Sequence, residues 1–215
     1  NVLDLSDTII LDTAAPSMST AFRIDDGDEY TTATDYTVSL DFAASDSGSG
    51  MYQMRLRNDL DAWGAWQVYA SATNMIWELT DDDGPRTVSA EFSDNAGNVR
   101  AVNDTITLAR FDPVVSAFAI NGGNAWTNSR NVTLSITASD SGSGLDEMRF
   151  SNPPLSFDAW QPFSPTCGWV LEDADGDSFT VDAEIRDAVG HVTSKASDNS
   201  IGLDRVNPAI GSFAI

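Results

Sequence analysis

The heptapeptide ASDSGSG occurs twice, at residues 44–50 and 138–144, an offset of 138 − 44 = 94 residues. An internal repeat at about the length of a small all-β domain means that one fold is written twice. The match runs far past the heptapeptide. YTVSLDFAASDSGSGMYQMRLRN in the first half meets NVTLSITASDSGSGLDEMRFSN in the second, with Val38, Leu40, Phe42 and Ala44 over Val132, Leu134, Ile136 and Ala138. Apolar residues two apart are the mark of a strand with one face buried. AWQVY at 65–69 meets AWQPF at 159–163, and TVSAEFSDNAGNV at 87–99 meets TVDAEIRDAVGHV at 180–192. The inward set is kept there too: Val88, Ala90 and Phe92 over Val181, Ala183 and Ile185. YTT from Tyr30 corresponds to WTN from Trp126.

The two ends carry the same pattern. NVLDLSDTIILDTAAP at 1–16 parallels NVRAVNDTITLARFDP at 98–113, and LDRVNPAIGSFAI at 203–215 parallels LARFDPVVSAFAI at 108–120. The expected organisation is therefore the last strand of a preceding repeat at 1–12, repeat 1 at 13–110, repeat 2 at 111–205, and the first strand of a following repeat at 206–215. Within the first repeat the pattern predicts seven strands, near 18–24, 36–45, 51–57, 65–69, 74–79, 86–93 and 99–108. The breakers between them, DDGDE, DSGSG, NDLDAWG, DDDG and DNAGN, are rich in residues that tolerate tight bends. Strands of this length and spacing fit a two-sheet sandwich, and no segment has helix period.

SDSGSG, MRFSN, AWQPF and FSDNAGNV, with DTIILDTAAP, resemble the immunoglobulin-like or fibronectin type III-like repeats strung along large bacterial and archaeal surface and secreted proteins. The resemblance covers nearly the whole chain. It implies an all-β chain of two tandem immunoglobulin-like seven-strand β-sandwich domains, with a terminal strand of a neighbouring repeat at each end. It also implies an extracellular or cell-surface spacer, stalk or adhesive module, although such repeats are defined by fold rather than by one activity. The second repeat departs from the pattern at His191, in DAVGH, and in its exit strand SKASDNSIGLD, which carries extra residues.

Composition narrows the partners. Eleven Lys and Arg stand against 33 Asp and Glu, a formal net charge of −22, which repels nucleic acid and anionic lipid and favours divalent cations. Hydrophobic residues make up 41% of the chain, enough for packed cores. Cys167 is the sole cysteine, so no disulfide forms within the chain. No apolar run has the length of a membrane span, and the opening NVLDLSDTII has neither an initiator Met nor a signal-peptide pattern, so the chain reads as an excerpt of something longer.

Chemistry is sparse. Ser141 and Ser143 flank Gly142 as at a nucleophile elbow, but the motif lies between two strands in a chain with a single histidine. No catalytic residue is expected and the chain reads as non-enzymatic. His191 reads as a solvated substitution, and Glu91 and Glu184 as outward-facing strand residues. In a sandwich, the loops after the second and sixth strands share the end at which the chain arrives. That places Asp46 near Asp94 and Asp12, and Asp140 near Asp187 and Asp112. At the opposite end of repeat 1 lie Asp25, Asp26 and Asp28 with Asp81, Asp82 and Asp83, facing the second repeat in a linear array. One reading gives these six candidate ligands, Asp12, Asp46, Asp94, Asp112, Asp140 and Asp187, to Ca2+, which takes six to eight oxygens and would stiffen the joint. The other makes the aspartates turn caps. DADGD at 173–177 reads as a hairpin turn.

Trp66 and Trp77 recur as Trp160 and Trp169, which assigns them a shared core role. Trp63 and Trp126 are the candidates for a ligand-stacking platform. Asn103 and Asn131 begin glycosylation triplets. The expected function is a non-catalytic spacer, with an adhesin or glycan-binding module, or a filament subunit donating the strand at 2–11, as alternatives. Expected partners are neighbouring repeats and surface glycans or proteins, with no nucleic acid and no membrane insertion.

Overall fold

Alternating apolar residues decide where the sheets form. In the computed structural model, which describes residues 9–173, 176–209 and 211, the chain is all-β and divides into units Asn1–Arg110 and Phe111–Ile215. Unit 1 contains β1 (Ser17–Ile24), β2 (Tyr30–Thr31), β3 (Thr37–Ser45), β4 (Met51–Asn58), β5 (Gln67–Val68), β6 (Ala72–Glu78), β7 (Gly84–Asp94) and β8 (Val99–Leu108). One sheet has the order β1-β3-β6 and the other β2-β8-β7-β4-β5. All pairings are antiparallel except β2 with β8. Val38, Leu40, Phe42 and Ala44 of β3 and Val88, Ala90 and Phe92 of β7 are all buried, so the inward sets anticipated from the repeat are the core.

The two sheets of unit 1 meet through aromatic rings. Phe42 lies 5.8 Å from Phe22 and 5.3 Å from Phe92, and Tyr69 meets Phe92 edge-on at 5.9 Å. The Tyr69 hydroxyl donates to the Ala44 carbonyl at 2.8 Å and accepts the Ala44 N–H at 2.7 Å. A phenol that would be costly to bury unpaired thus ties the β5 side to β3. The DSGSG turns need glycine at one position in each copy, Gly50 at φ +80° and Gly144 at φ +83°.

Unit 2 contains β9 (Val114–Ile120), β10 (Trp126–Thr127), β11 (Asn131–Ser139), β12 (Leu145–Ser151), β13 (Gln161–Pro162), β14 (Thr166–Val170), β15 (Ser178–Phe179), β16 (Asp182–Asp187), β17 (Val192–Ala196) and β18 (Ile201–Leu203). Its first sheet, β14-β11-β9, repeats that of unit 1. The second is broken into β13-β12-β16-β17 and β10-β18-β15. The cause is the longer exit strand: the offset between equivalent residues grows from 93 (Val99 and Val192) to 95 (Leu108 and Leu203). The extra length bulges at Ser197 to Ser200 and is fastened to β9. Asp198 accepts the Phe118 N–H at 2.7 Å, and Asn199 accepts the Ile120 N–H at 2.9 Å. In unit 1 one carboxylate does this work, Asp104 accepting the Ile24 N–H at 2.9 Å.

Strands occur at every position anticipated in repeat 1, with two differences. The strand expected over 65–69 is reduced to the two residues of β5, because only Gln67 and Val68 reach the edge of β4. The short parallel strands β2 and β10 are additional, since two residues are too few to show a period. Of the terminal strands expected at 1–12 and 206–215, residues 1–8, 210 and 212–215 lie outside the described residues. Ile9, Ile10 and Leu11 are exposed and belong to no strand.

Phe92→Ala in unit 1 and Phe150→Ala in unit 2 each empty a fully buried site. Each is expected to cost its own unit about 3–5 kcal/mol, read by calorimetry or denaturant titration.

Candidate functional site

Three carboxylates gather where the chain enters unit 1. Asp46 heads the SDSGSG turn, and its Oδ1 accepts the N–H groups of Gly48, Ser49 and Gly50 at 3.1, 2.9 and 2.8 Å. Asp94, at the end of β7, is fully buried and accepts the Asn98 N–H and side-chain amide, both at 2.8 Å. Asp12 arrives from the incoming segment. Its two oxygens accept the N–H groups of Ala14 at 3.1 Å and Ser49 at 2.8 Å, and its carbonyl accepts the Asn98 amide at 3.2 Å. One oxygen from each of Asp12, Asp46 and Asp94 lies within 4.8 Å of the others. The hydrogen bond from the Ser49 side chain, followed by the Ala14 and Ser49 amides, holds the Asp12 carboxyl below its ordinary value of 3.8. Gly48 makes the approach possible, since a Cβ there would sit 2.5 Å from the Asp12 carboxyl carbon.

An all-oxygen set of this kind suits a hard cation in type. Five of its six carboxylate oxygens nonetheless already accept an N–H. The amides therefore supply much of the compensation that a cation would.

The second repeat does not assemble the same group. Asp112 is exposed, Asp140 accepts the Gly142 and Gly144 N–H groups, and Asp187 accepts those of Val189, Gly190 and His191. Asp112, Asp140 and Asp187 form no three-carboxylate cluster among the described residues. His191 takes the place of Asn98 and puts Nδ1 3.0 Å from the Asp187 carboxylate. It is half-buried and paired, not the solvated substitution expected from sequence. Ser143 Oγ, equivalent to the Ser49 Oγ that accepts the Ala96 N–H, is buried with no hydrogen-bond partner among the described residues.

The acidic turns at the other end of unit 1 are not a free cluster. Arg110 inserts with its side chain 6% exposed and bonds Asp83, 2% exposed, at 2.8 Å through Nε, while its backbone N–H donates to the same carboxylate at 2.7 Å. Its guanidinium also covers the Tyr36 ring at 4.3 Å. Burial opposes the Arg110 charge, but the neighbouring Asp83 outweighs it and the pKa is raised. Asp25 accepts the Ser39 N–H and hydroxyl, and Asp26 is held above the ordinary carboxylate value by its hydrogen bond and repulsion with Asp41. The matching residue in unit 2 is Arg205, bonded to Asp173 at 2.7 Å. Residue type and strand period do not single out these arginines, but the repeat does carry a signal for them: Leu-Ala-Arg and Leu-Asp-Arg align at 108–110 and 203–205.

The tryptophans separate by position. Trp77 and Trp169 pack against the two cores and donate their Nε1–H to Asn58 and Asn152 at 2.6 and 2.7 Å, as a core role requires. Trp66 and Trp160 do not. They lie on the outer sheet faces under Arg55 and Arg149, each 4.4 Å from the ring centroid. Arg55 and Arg149 are in turn held by Glu91 and Glu184 at 2.6 and 2.5 Å. Arginines on outward strand positions draw loop aromatics onto the sheet by cation–π attraction, which alternation along the strand does not reveal. Trp63 belongs to the same stack, with Arg55 and Arg57 over its ring at 4.9 and 4.5 Å. Trp126 is 65% exposed.

No family model matches the chain, and no curated protein does. Among solved structures it is similar to the fibronectin(III)-like modules of Clostridium thermocellum CbhA, with 12% identity over 90% of this chain and 100% of that one and a TM-score of 0.36. It is also similar to immunoglobulin domains 1–4 of Sidekick-1, with 11% identity, 88% and 48% coverage and a TM-score of 0.45. A tetra-tandem repeat in the extending region of a large adhesion protein gives 13% identity, 88% and 50% coverage and a TM-score of 0.38. The chain thus spans about half the length of the last two. The first two of these are fibronectin(III)-like modules and immunoglobulin domains, and the third is a tandem repeat. No helix among the described residues is long and apolar enough to cross a membrane.

Because the folded Asp12 pKa lies below its unfolded value, its contribution is complete above pH 3.8 and is lost as pH falls through the depressed folded pKa. Gly48→Ala, which displaces the Asp12 carboxylate, is expected to lower the melting point of unit 1 by a few degrees at pH 7. It should also flatten the loss of stability on acidification below pH 4, measured by circular dichroism.

Proposed function

We propose that the chain is a non-catalytic spacer segment of an extracellular or cell-surface multi-repeat protein, whose work is to carry the chain's ends apart under load. The observation that carries this reading is that each segment entering or leaving a unit is fastened to that unit's body. Asp12 ties the incoming segment of unit 1 to Ser49 and Asn98, and Arg110 ties its outgoing end to Asp83. In unit 2 the Thr193 hydroxyl donates to the Pro113 carbonyl, and Arg205 reaches Asp173. A binding loop needs mobility at its ends, whereas a load-bearing module needs the pull delivered to its sheets rather than to fraying ends. Pro113, at the start of unit 2, restricts the backbone there and supports the same reading.

The experiment is single-molecule extension of the chain. Two discrete unfolding events are expected, each releasing roughly 30 nm for a unit of this length at about 3.5 Å per residue. Arg110→Ala removes the guanidinium that neutralises the buried Asp83 side chain, and is expected to destabilise unit 1 by about 3–5 kcal/mol and lower its unfolding force. Gradual extension without discrete events would overturn the spacer reading.

A second reading concerns stiffening by Ca2+, and what favours it is the group Asp12, Asp46 and Asp94, with no lysine or arginine bonded to any of the three among the described residues. The ion would join the incoming segment to two loops of unit 1. Calcium against chelator is expected to raise the melting point of unit 1 by several degrees and leave unit 2 unchanged, with Asp46→Asn abolishing the difference. Equal melting curves in calcium and chelator would dismiss the ion.

A further inference from the structure

We propose that the depression beside Trp126 binds a neutral saccharide, a site separate from the spacer role and independent of it. Trp126 begins β10 and stands in parallel register with Gly202 of β18. Its benzo ring lies over that glycine, where a Cβ would fall 2.4 Å from Cε3. The corresponding pair in unit 1 is Tyr30 and Thr107, so unit 2 has traded a threonine for a glycine and a phenol for an indole. The exchange gives one ring face a backbone floor, while the residue keeps 65% of its surface exposed. An aromatic ring braced from beneath and open above is costly to leave in water and loses little freedom when a flat partner covers it.

The rim supplies the polar half of the chemistry. Asn121, Asn124, Asn128, Thr127 and Asp204 surround the indole in an open depression of about 470 Å³. The side-chain amides of Asn124 and Asn128 make no hydrogen bond among the described residues. Among the described residues, Asn121 uses only its side-chain oxygen, for the Thr133 N–H, and Asp204 uses one carboxylate oxygen, for the Val206 N–H. Amides that both donate and accept, placed round an apolar ring, match a pyranose, whose axial C–H bonds stack on the ring while its equatorial hydroxyls reach outward. Asp204 and the net charge of −22 exclude anionic sugars, so the ligand is a neutral, equatorially substituted hexopyranoside. Trp63 offers no equivalent, because its ring is already covered by Arg55 and Arg57.

The test uses the whole chain and the indole N–H resonances of its tryptophans, titrated with cellohexaose, chitohexaose and, as a charged probe, hexagalacturonate. A saturable shift of the Trp126 resonance by at least one neutral oligosaccharide is expected, with a dissociation constant on the order of 1 mM for a shallow, single-ring site. Hexagalacturonate is expected to leave it unmoved. Trp126→Ala should weaken binding at least tenfold. Asn128→Ala, which removes no packing, should weaken it several-fold and keeps the test open if the tryptophan variant misfolds. No shift at Trp126 with either neutral probe, binding unaltered in both variants, or a preference for hexagalacturonate would each overturn the site.

Discussion

Closure of two apolar sheet faces on one another is the constraint from which the rest of each unit follows. Phe42 and Phe92 in unit 1, and Phe118 and Phe150 in unit 2, are fully buried. Each such side chain contributes about 1.5–3 kcal/mol on leaving water. Once β3 and β7 face each other, the turns that follow them must lie at the same end of the sandwich. Asp46 and Asp94 are neighbours for that reason and not because of any attraction between them. The cluster that Asp12 completes is a by-product of closure, made tolerable by the amides around it.

Those amides show how so acidic a chain manages its charge. With 11 basic residues for 33 acidic ones, ion pairing cannot neutralise the surface. The carboxylates turn instead to backbone N–H groups: Asp46 takes three, Asp187 takes three, and Asp25, Asp104 and Asp198 tie turns and the first strands to the sheets. A buried carboxylate that accepts several N–H bonds avoids most of its desolvation cost. The scarce arginines go to a buried carboxylate and to the outer sheet faces. Arg110 neutralises the buried Asp83, and Arg55, Arg149 and Arg186 pin loop aromatics to the outer sheet faces.

The two units differ where the demands of closure are weakest. Their inward residues correspond one for one, yet Asn98 becomes His191, one exit strand gains two residues, and a Tyr–Thr pair becomes Trp–Gly. The first change engages Asp187 with an imidazole, the second splits a sheet, and the third opens an indole to solvent. Tandem copies of one sandwich can therefore share a core while presenting different surfaces.

The repeat and its two-residue period were enough by themselves to determine the all-β class, the positions of the longer strands and the inward set, because alternation is local and burial follows from it directly. They also brought Asp12, Asp46 and Asp94 to one end, since sandwich connectivity dictates which loops are neighbours. They could not decide that Asp112, Asp140 and Asp187 stay apart, that Trp66 and Trp160 lie outside the core, or that Arg110 rather than a cation meets Asp83. Each of those outcomes depends on the path of a loop over a few ångströms and on which long side chain reaches a site first. Such competition between distant partners is settled only when the sheets have closed, so it belongs to the tertiary structure.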